Sequence, residues 1–338
     1  MKTNVEGSVR VDLLGGTLDL NPINMVIPNV VTLNVATTLT AKVQIENLET
    51  NDIIEIESKD YHSKHTFEKS DFTSENFHSS FFGPLSFVLQ ILNLFEFKQG
   101  LKITLSSDAP AGSGLGGSSA MGVTLYKALC QHFKIELDKD KAIRIVNGIE
   151  GRILNAGPAG YQDYYPALFG GVLALIPKPG EIEVKQLYTE ELSHAFDQNI
   201  SLIYSGETRH SGINNWEVYK AFFNGDPATR HGLSAIAELS FKAYQCLLNH
   251  EYDQLLDLIT KEGEQRVKLF PGIVSSKMES LYNKLSESYE NIGLKVCGAG
   301  GGGCFLLIHK GVPSEIVNQE VNALDMKILP LSILPPLS

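Results

Sequence analysis

The residues best suited to chemistry lie in a run at 108–120, Asp-Ala-Pro-Ala-Gly-Ser-Gly-Leu-Gly-Gly-Ser-Ser-Ala. Gly112, Gly114, Gly116 and Gly117 let the backbone turn tightly and bring its N–H groups close to a ligand. The run joins a strand-like segment at 101–106 to a helical pattern at 115–133. It therefore feeds the positive end of a helix, and phosphate is the ligand such an end attracts. Ser118 and Ser119 add hydroxyls for a phosphate or its Mg²⁺. A second glycine run, CGAGGGGC, occupies 297–304. Both runs satisfy G-x-G-x-x-G, at Gly112, Gly114 and Gly117 and at Gly298, Gly300 and Gly303, so that pattern alone discriminates little. A dinucleotide site needs a strand entering its first glycine directly, whereas Asp-Ala-Pro-Ala intervenes here. No Gly-Lys-Ser/Thr is present, which excludes the other common phosphate loop. A third segment, NAGPAGYQDYYPALFGG at 155–171, is dense in glycine and carries one acid, Asp163. Taken alone, that acid could equally cap a helix, and the loop at 108–120 could be a turn without a ligand.

Two of these segments, with a third at 10–19, occur in the order of the GHMP kinase motifs and resemble that family, named for galactokinase, homoserine kinase, mevalonate kinase and phosphomevalonate kinase. PAGSGLGGSSA at 110–120 is similar to the family's second motif, which wraps the ATP phosphates. CGAGGGGC is similar to the third, and RVDLLGGTLD at 10–19 to the first, on the substrate side. The form Gly-x-Gln-Asp-x-Tyr followed by Phe-Gly-Gly is most like bacterial D-glycero-D-manno-heptose phosphate kinases. The resemblance implies an α+β, two-domain fold: a ribosomal protein S5 domain 2-like N-terminal domain and a ferredoxin-like C-terminal domain. It implies an ATP- and Mg²⁺-dependent transfer of phosphate to a hydroxyl of a sugar or sugar phosphate. Asp163 and Arg10 would be catalytic, Asp163 accepting or orienting the substrate hydroxyl and Arg10 supplying its counter-charge. Pro110, Gly112, Ser113, Gly114, Leu115, Gly116, Gly117, Ser118 and Ser119 would hold ATP. Thr17, Asp19, Arg209, Gly300 and Gly301 would face the substrate, with His210 beside Arg209. Ser118 and Glu150 would hold the metal, Ser119 lying one step off the motif's serine and Gly151 standing at the place of the family's glutamate. The glutamate-histidine pair of galactokinases is replaced by Gly16 and Thr17, which brings the first motif nearer the Gly-Gly-Thr-Asp form, with Leu18 interrupting it. Galactose-like sugars, mevalonate and homoserine remain alternative substrates, and a ligand sensor built on an inactive kinase is the non-enzymatic alternative.

The elements that must position these groups can be read from periodicity. Strands are expected at 9–14, 29–39, 41–45, 52–58 and 101–106, from their Val, Leu, Ile and Thr content. A helix is expected at 83–95, and another at 115–133, where Met121, Leu125, Leu129 and Phe133 recur every four residues. Further on, a strand at 200–204, helices at 232–249, 252–269 and 273–289, and strands at 294–297 and 304–309 are expected. The Pro-rich tail ILPLSILPPLS reads as an edge strand or surface segment. Strands dominate early and helices late, which points to an α+β, two-layer architecture rather than a βαβ repeat, and the domains the resemblance implies are expected at 1–183 and 184–338. The 338 residues carry a net charge of -11, which argues against a general nucleic-acid or anionic-membrane surface. The four cysteines form no CxxC or Cys/His cluster, so a zinc site is not expected and a reduced, cytoplasmic setting is. The N-terminal residues lack the apolar run of a signal peptide, and no apolar stretch is long enough to span a bilayer. A small-molecule substrate is the expected partner, for a monomer or homodimer.

Overall fold

The structure is a computed structural model that describes residues 1–154, 159–207 and 214–337. Its first strand, β1 (Lys2–Leu14), alternates exposed and buried residues at the start and is wholly buried from Gly7 onward. The change follows from what covers it, because helices from both halves of the chain contact it. After a short α1 (Ile23–Val26), β2 (Thr32–Asn47) runs antiparallel along β1. The register shifts between Ser8 and Arg10 and between Asp12 and Leu14. Such irregularities re-aim side chains, and these bracket the stretch that holds Arg10 and Asp12.

A hairpin of β3 (Ile53–Ser58) and β4 (Ser63–Glu68) precedes α2 (Ser74–His78) and α3 (Ser86–Leu92). Next, β5 (Leu101–Ser107) lies antiparallel to β2 and parallel to β3. Three helices follow, α4 (Gly117–Phe133), α5 (Lys139–Leu154) and α6 (Tyr165–Phe169), then the pair β6 (Val172–Lys178) and β7 (Glu181–Gln186). The sheet order is β4-β3-β5-β2-β6-β7, with β1 on the other edge of β2. α4 lies across β1 and β2, burying Val123, Leu125 and Leu129 in the main core.

The second half continues with α7 (Glu190–Asn199), β8 (Ile200–Tyr204), α8 (Asn215–Phe223), α9 (Pro227–Leu248), α10 (Tyr252–Leu269) and α11 (Ser276–Ser286). It ends with β9 (Ile292–Val296), β10 (Cys304–His309), α12 (Ser314–Ala323) and β11 (Lys327–Leu329). The four strands form an antiparallel sheet in the order β11-β8-β10-β9. Helices carry both crossovers, which is the ferredoxin-like arrangement. The two sheets and their helices give the expected α+β architecture.

Several elements differ from the expected ones for local reasons. The strands at 29–39 and 41–45 are one strand, β2, whose two ends pair with different neighbours, β6 and β5. The Pro-rich tail fills the gap between them: Leu334 donates to the Ala36 carbonyl, Thr38 to the Ser332 carbonyl, and Thr37 bridges Ile333. A chain segment from the end of the sequence thus completes the first sheet. A division at 183/184 would cut β7, which pairs with β6, so the proposed boundary is better placed after Gln186. The helix expected from 115 begins at Gly117, because Gly116 has a φ of 70° and cannot be helical. No helix among the described residues is long and apolar enough to cross a membrane.

Candidate active site

The glycine-rich loop at 108–117 is fastened at its start and its centre. Where β5 ends, the Asp108 carboxylate accepts from the Thr40 backbone N–H and hydroxyl at 3.1 and 3.0 Å. At the loop's centre, the Arg10 backbone N–H donates to the Leu115 carbonyl at 3.1 Å, and Arg10 Nη1 donates to the Gly114 carbonyl at 2.5 Å. Gly116 caps α4 without a side chain to accept from its first turn. The amides of that turn are therefore open to an anion, and Gly116, Gly117, Ser118 and Ser119 all line the cavity in front of them.

The two glycine runs meet. The Cys304 N–H donates to the Ser113 carbonyl at 2.7 Å. At Gly303, where φ is 79°, a Cβ would lie 2.8 Å from that same carbonyl, so only glycine allows the approach. Gly298 and Ala299 face the cavity. Gly300 and Gly301 turn away: the Gly301 N–H donates to the Ile273 carbonyl, and Gly300 is packed against Ile273. Gly300 and Gly301, expected to face the substrate, do not line the cavity, and their neighbours Gly298 and Ala299 occupy that wall.

Asp163 and Arg10 come together as expected from opposite ends of the first sheet's sequence. Arg10 Nε and Nη2 both grip Oδ1 of Asp163, at 2.7 and 2.6 Å. Oδ2 has no protein donor among the described residues. Burial opposes the charge on Arg10, but Asp163 and Asp12 more than offset it, so the guanidinium stays protonated. The pair can hold a carboxylate oxygen ready for a hydroxyl proton.

Asp19 lies beside them, 3% exposed, accepting the Gln162 backbone N–H at 3.1 Å. Burial, and then the charge of Asp163, push its carboxyl up to about 7. At Gly160 a Cβ would fall 2.1 Å from Asp19 Oδ2, so the backbone can close on this carboxyl only without a side chain. Thr17 adopts a positive φ of 71° and is held by Arg266, whose Nη1 lies 3.3 Å from its hydroxyl while Nη2 donates to the Gly16 carbonyl at 2.5 Å. Arg266 also donates from Nε to Glu262 at 2.8 Å. Lys295 completes this buried set, 3.1 Å from Asp12 Oδ2 and 3.6 Å from Glu262 Oε2. Two acids thus match two bases. Burial would raise the Asp12 carboxyl, but Lys295, Arg266 and Arg10 hold it below the usual range. Among the described residues, Asp12 Oδ1 and the Gln162 side-chain Oε1 remain buried acceptors without a protein donor, and both residues line the cavity.

Both residues of the expected metal site, Ser118 and Glu150, line the cavity. Glu150 does face the cavity, on the last turn of α5, but the hydroxyl bonded to it is that of Ser119, at 2.6 Å. Ser118 is exposed and makes no hydrogen bond from its side chain among the described residues. The Tyr164 hydroxyl donates to the same Glu150 oxygen at 2.7 Å. Burial and then Glu150 raise this phenol far above its usual range, which keeps it a donor. A carboxylate and a hydroxyl beside a helix N-terminus fit Mg²⁺ carried in by phosphates, since that ion takes few protein ligands and keeps its waters.

Arg10, Asp12, Thr17, Asp19, Ser118, Ser119, Glu150, Gln162, Asp163 and Arg266 border one cavity of about 850 Å³, whose lining also includes the apolar Leu85, Phe87, Val88 and Leu105. Asp12, Arg266, Lys295, Gln162 and Tyr164 carried no separable signal in the sequence. Asp12, Gln162 and Tyr164 lay within quoted motifs without a role, and Arg266 and Lys295 join them only in the fold. Arg209 and His210 lie outside the described residues.

Residues 86–171 match the GHMP kinases N terminal domain. A bifunctional fucokinase/GDP-fucose pyrophosphorylase of Arabidopsis thaliana is 25% identical over 320 residues, which is 91% of this chain and 30% of that protein. The chain thus spans less than a third of that relative. D-glycero-alpha-D-manno-heptose 7-phosphate kinase of Campylobacter jejuni is 26% identical over 90% of this chain and 88% of its own. The crystal structure of Methanococcus jannaschii mevalonate kinase covers 99% of both chains with a TM-score of 0.77 at 20% identity. That last likeness establishes the fold, and the three relatives differ in substrate.

Proposed function

We propose that the chain is a GHMP kinase that transfers the γ-phosphate of ATP to a hydroxyl of a sugar or sugar phosphate, a heptose phosphate being the leading substrate. The observation that carries the reading is the Arg10-gripped Asp163 beside the open N-terminus of α4, in one cavity with Asp19. The α4 amides and the glycine loop hold the triphosphate. Glu150 with Ser118 or Ser119 would hold Mg²⁺, which would neutralise charge building on the phosphates. The acceptor oxygen attacks the γ-phosphorus, the bond to the β–γ bridging oxygen breaks, and ADP leaves. The hydroxyl proton passes to Oδ2 of Asp163, while Arg10 keeps Oδ1 in place.

The acceptor end favours a molecule rich in hydroxyls. Asp19, Asp12 Oδ1 and Gln162 Oε1 are acceptors there, and the cations Arg10, Arg266 and Lys295 are already matched by Asp163, Glu262 and Asp12. Mevalonate would bring a carboxylate to this set of acceptors. A phosphate on the sugar would need a further cation, and Arg209 is proposed for it by its guanidinium fork. ADP release should be followed with heptose phosphates, galactose, fucose, mevalonate and homoserine. Turnover with a sugar or sugar phosphate is expected, and turnover confined to mevalonate or homoserine would contradict the reading.

A further inference from the structure

Tyr164 follows the proposed proton acceptor directly in sequence, and it is fully buried. A buried tyrosine needs no explanation beyond its ring, but its hydroxyl is committed to a specific chain of contacts. It donates to Glu150 Oε2 at 2.7 Å, where the Ser119 hydroxyl also donates at 2.6 Å. It accepts from Asn147 Nδ2 at 3.3 Å. The same Asn147 nitrogen reaches the carbonyls of Ala159 and Gly160 at 3.2 and 3.1 Å, in the backbone that closes over Asp19. One oxygen of Glu150 is therefore fully engaged, and Oε1 makes no hydrogen bond among the described residues while its residue lines the cavity.

We infer that Tyr164 is a positioning residue for the divalent cation: with Ser119 it fixes Oε2 of Glu150, leaves Oε1 for the metal, and through Asn147 ties that carboxylate to the backbone around the acceptor site. The inference rests on the reading of this cavity as an ATP site. Groups that orient a metal ligand commonly change metal affinity by about 10- to 100-fold when removed. The ring fills core space in either case, so the hydroxyl alone must be tested, and Tyr164→Phe does that.

Mn²⁺ binding to the full chain with a non-hydrolysable ATP analogue, measured by electron paramagnetic resonance, should weaken roughly tenfold in Tyr164→Phe. In turnover assays the Mg²⁺ concentration for half-maximal rate should rise by a similar factor, with the rate recovering at high Mg²⁺ and the sugar KM unmoved. Asn147→Ala, which removes the second link, should shift Mn²⁺ binding in the same direction by less, and it serves if Tyr164→Phe does not fold. Unchanged Mn²⁺ binding in both variants would reduce Tyr164 to a core ring and overturn the inference. A loss of rate that high Mg²⁺ does not restore would overturn it too. A parent that binds Mn²⁺ with the ATP analogue but phosphorylates no sugar would count against the functional reading alone.

Discussion

Asp19 gives the most quantitative handle on the site. Its carboxyl is buried, sits near Asp163 and titrates at about 7, against an ordinary value of 3.8. The gap of about 3 units corresponds to about 4 kcal/mol, at 1.36 kcal/mol per unit. The sign is set by the direction of the shift. An acid whose folded value is raised stabilises the fold fully below its unfolded value near 4, and that stability is lost as pH rises through about 7. The parent protein therefore carries a burden at alkaline pH that Asp19→Asn removes. Any constant cost of the substitution cancels when the parent–variant difference is itself compared between two pH values. Between pH 4.5 and pH 8.5 that difference should move by about 3 kcal/mol in favour of the variant. With a guanidinium slope of about 6 kcal/mol/M, the relative midpoint shift is roughly 0.5 M. Removing the charge of Asp163, the second cause of the shift, should shrink the effect. Equilibrium unfolding in guanidinium at both pH values decides the matter. A parent–variant difference that is the same at both would mean that Asp19 ionises as it does in water, and the reasoning from its burial would fail.

Other substitutions test the framework around the site. Lys295→Met leaves Asp12 and Glu262 short of a buried partner and should cost about 3–5 kcal/mol, read as a lowered unfolding midpoint; Asp12→Asn added to it should recover part of that loss, and a simple sum of the two would contradict the coupling. Gly303→Ala places a Cβ against the Ser113 carbonyl at a positive φ, a strain of about 1–2 kcal/mol. It should weaken binding of a non-hydrolysable ATP analogue roughly tenfold by calorimetry, and parental affinity would show that the contact of the two glycine runs is incidental.

The parts of the site that sequence reveals are those built from adjacent residues. The run at 110–120 reads as a phosphate loop because its glycines and serines act through local backbone geometry. Asp163 stands out as the one acid of a glycine-dense segment. That Ser119 supplies the hydroxyl bonded to Glu150 was not legible, because it depends on where α4 begins, and the positive φ of Gly116 sets that start. Asp12, Arg266 and Lys295 come from β1, α10 and β9, and no periodicity links such distant positions. Likewise, β2 read as two strands because composition cannot show that its halves pair with different partners, with the C-terminal tail between them.

The central claim is that Oδ2 of Asp163 receives the acceptor's proton while Arg10 holds Oδ1. Asp163→Asn keeps the shape of the side chain and removes the base. Turnover should be measured on the substrate identified by the panel, beside calorimetric binding of the ATP analogue. The expected result is unchanged nucleotide affinity with kcat reduced by about two to four orders of magnitude, and little further loss when Arg10→Ala is combined with it. Turnover by Asp163→Asn within a few fold of the parent would contradict the claim and leave rate enhancement to positioning by Arg10 and the glycine loops.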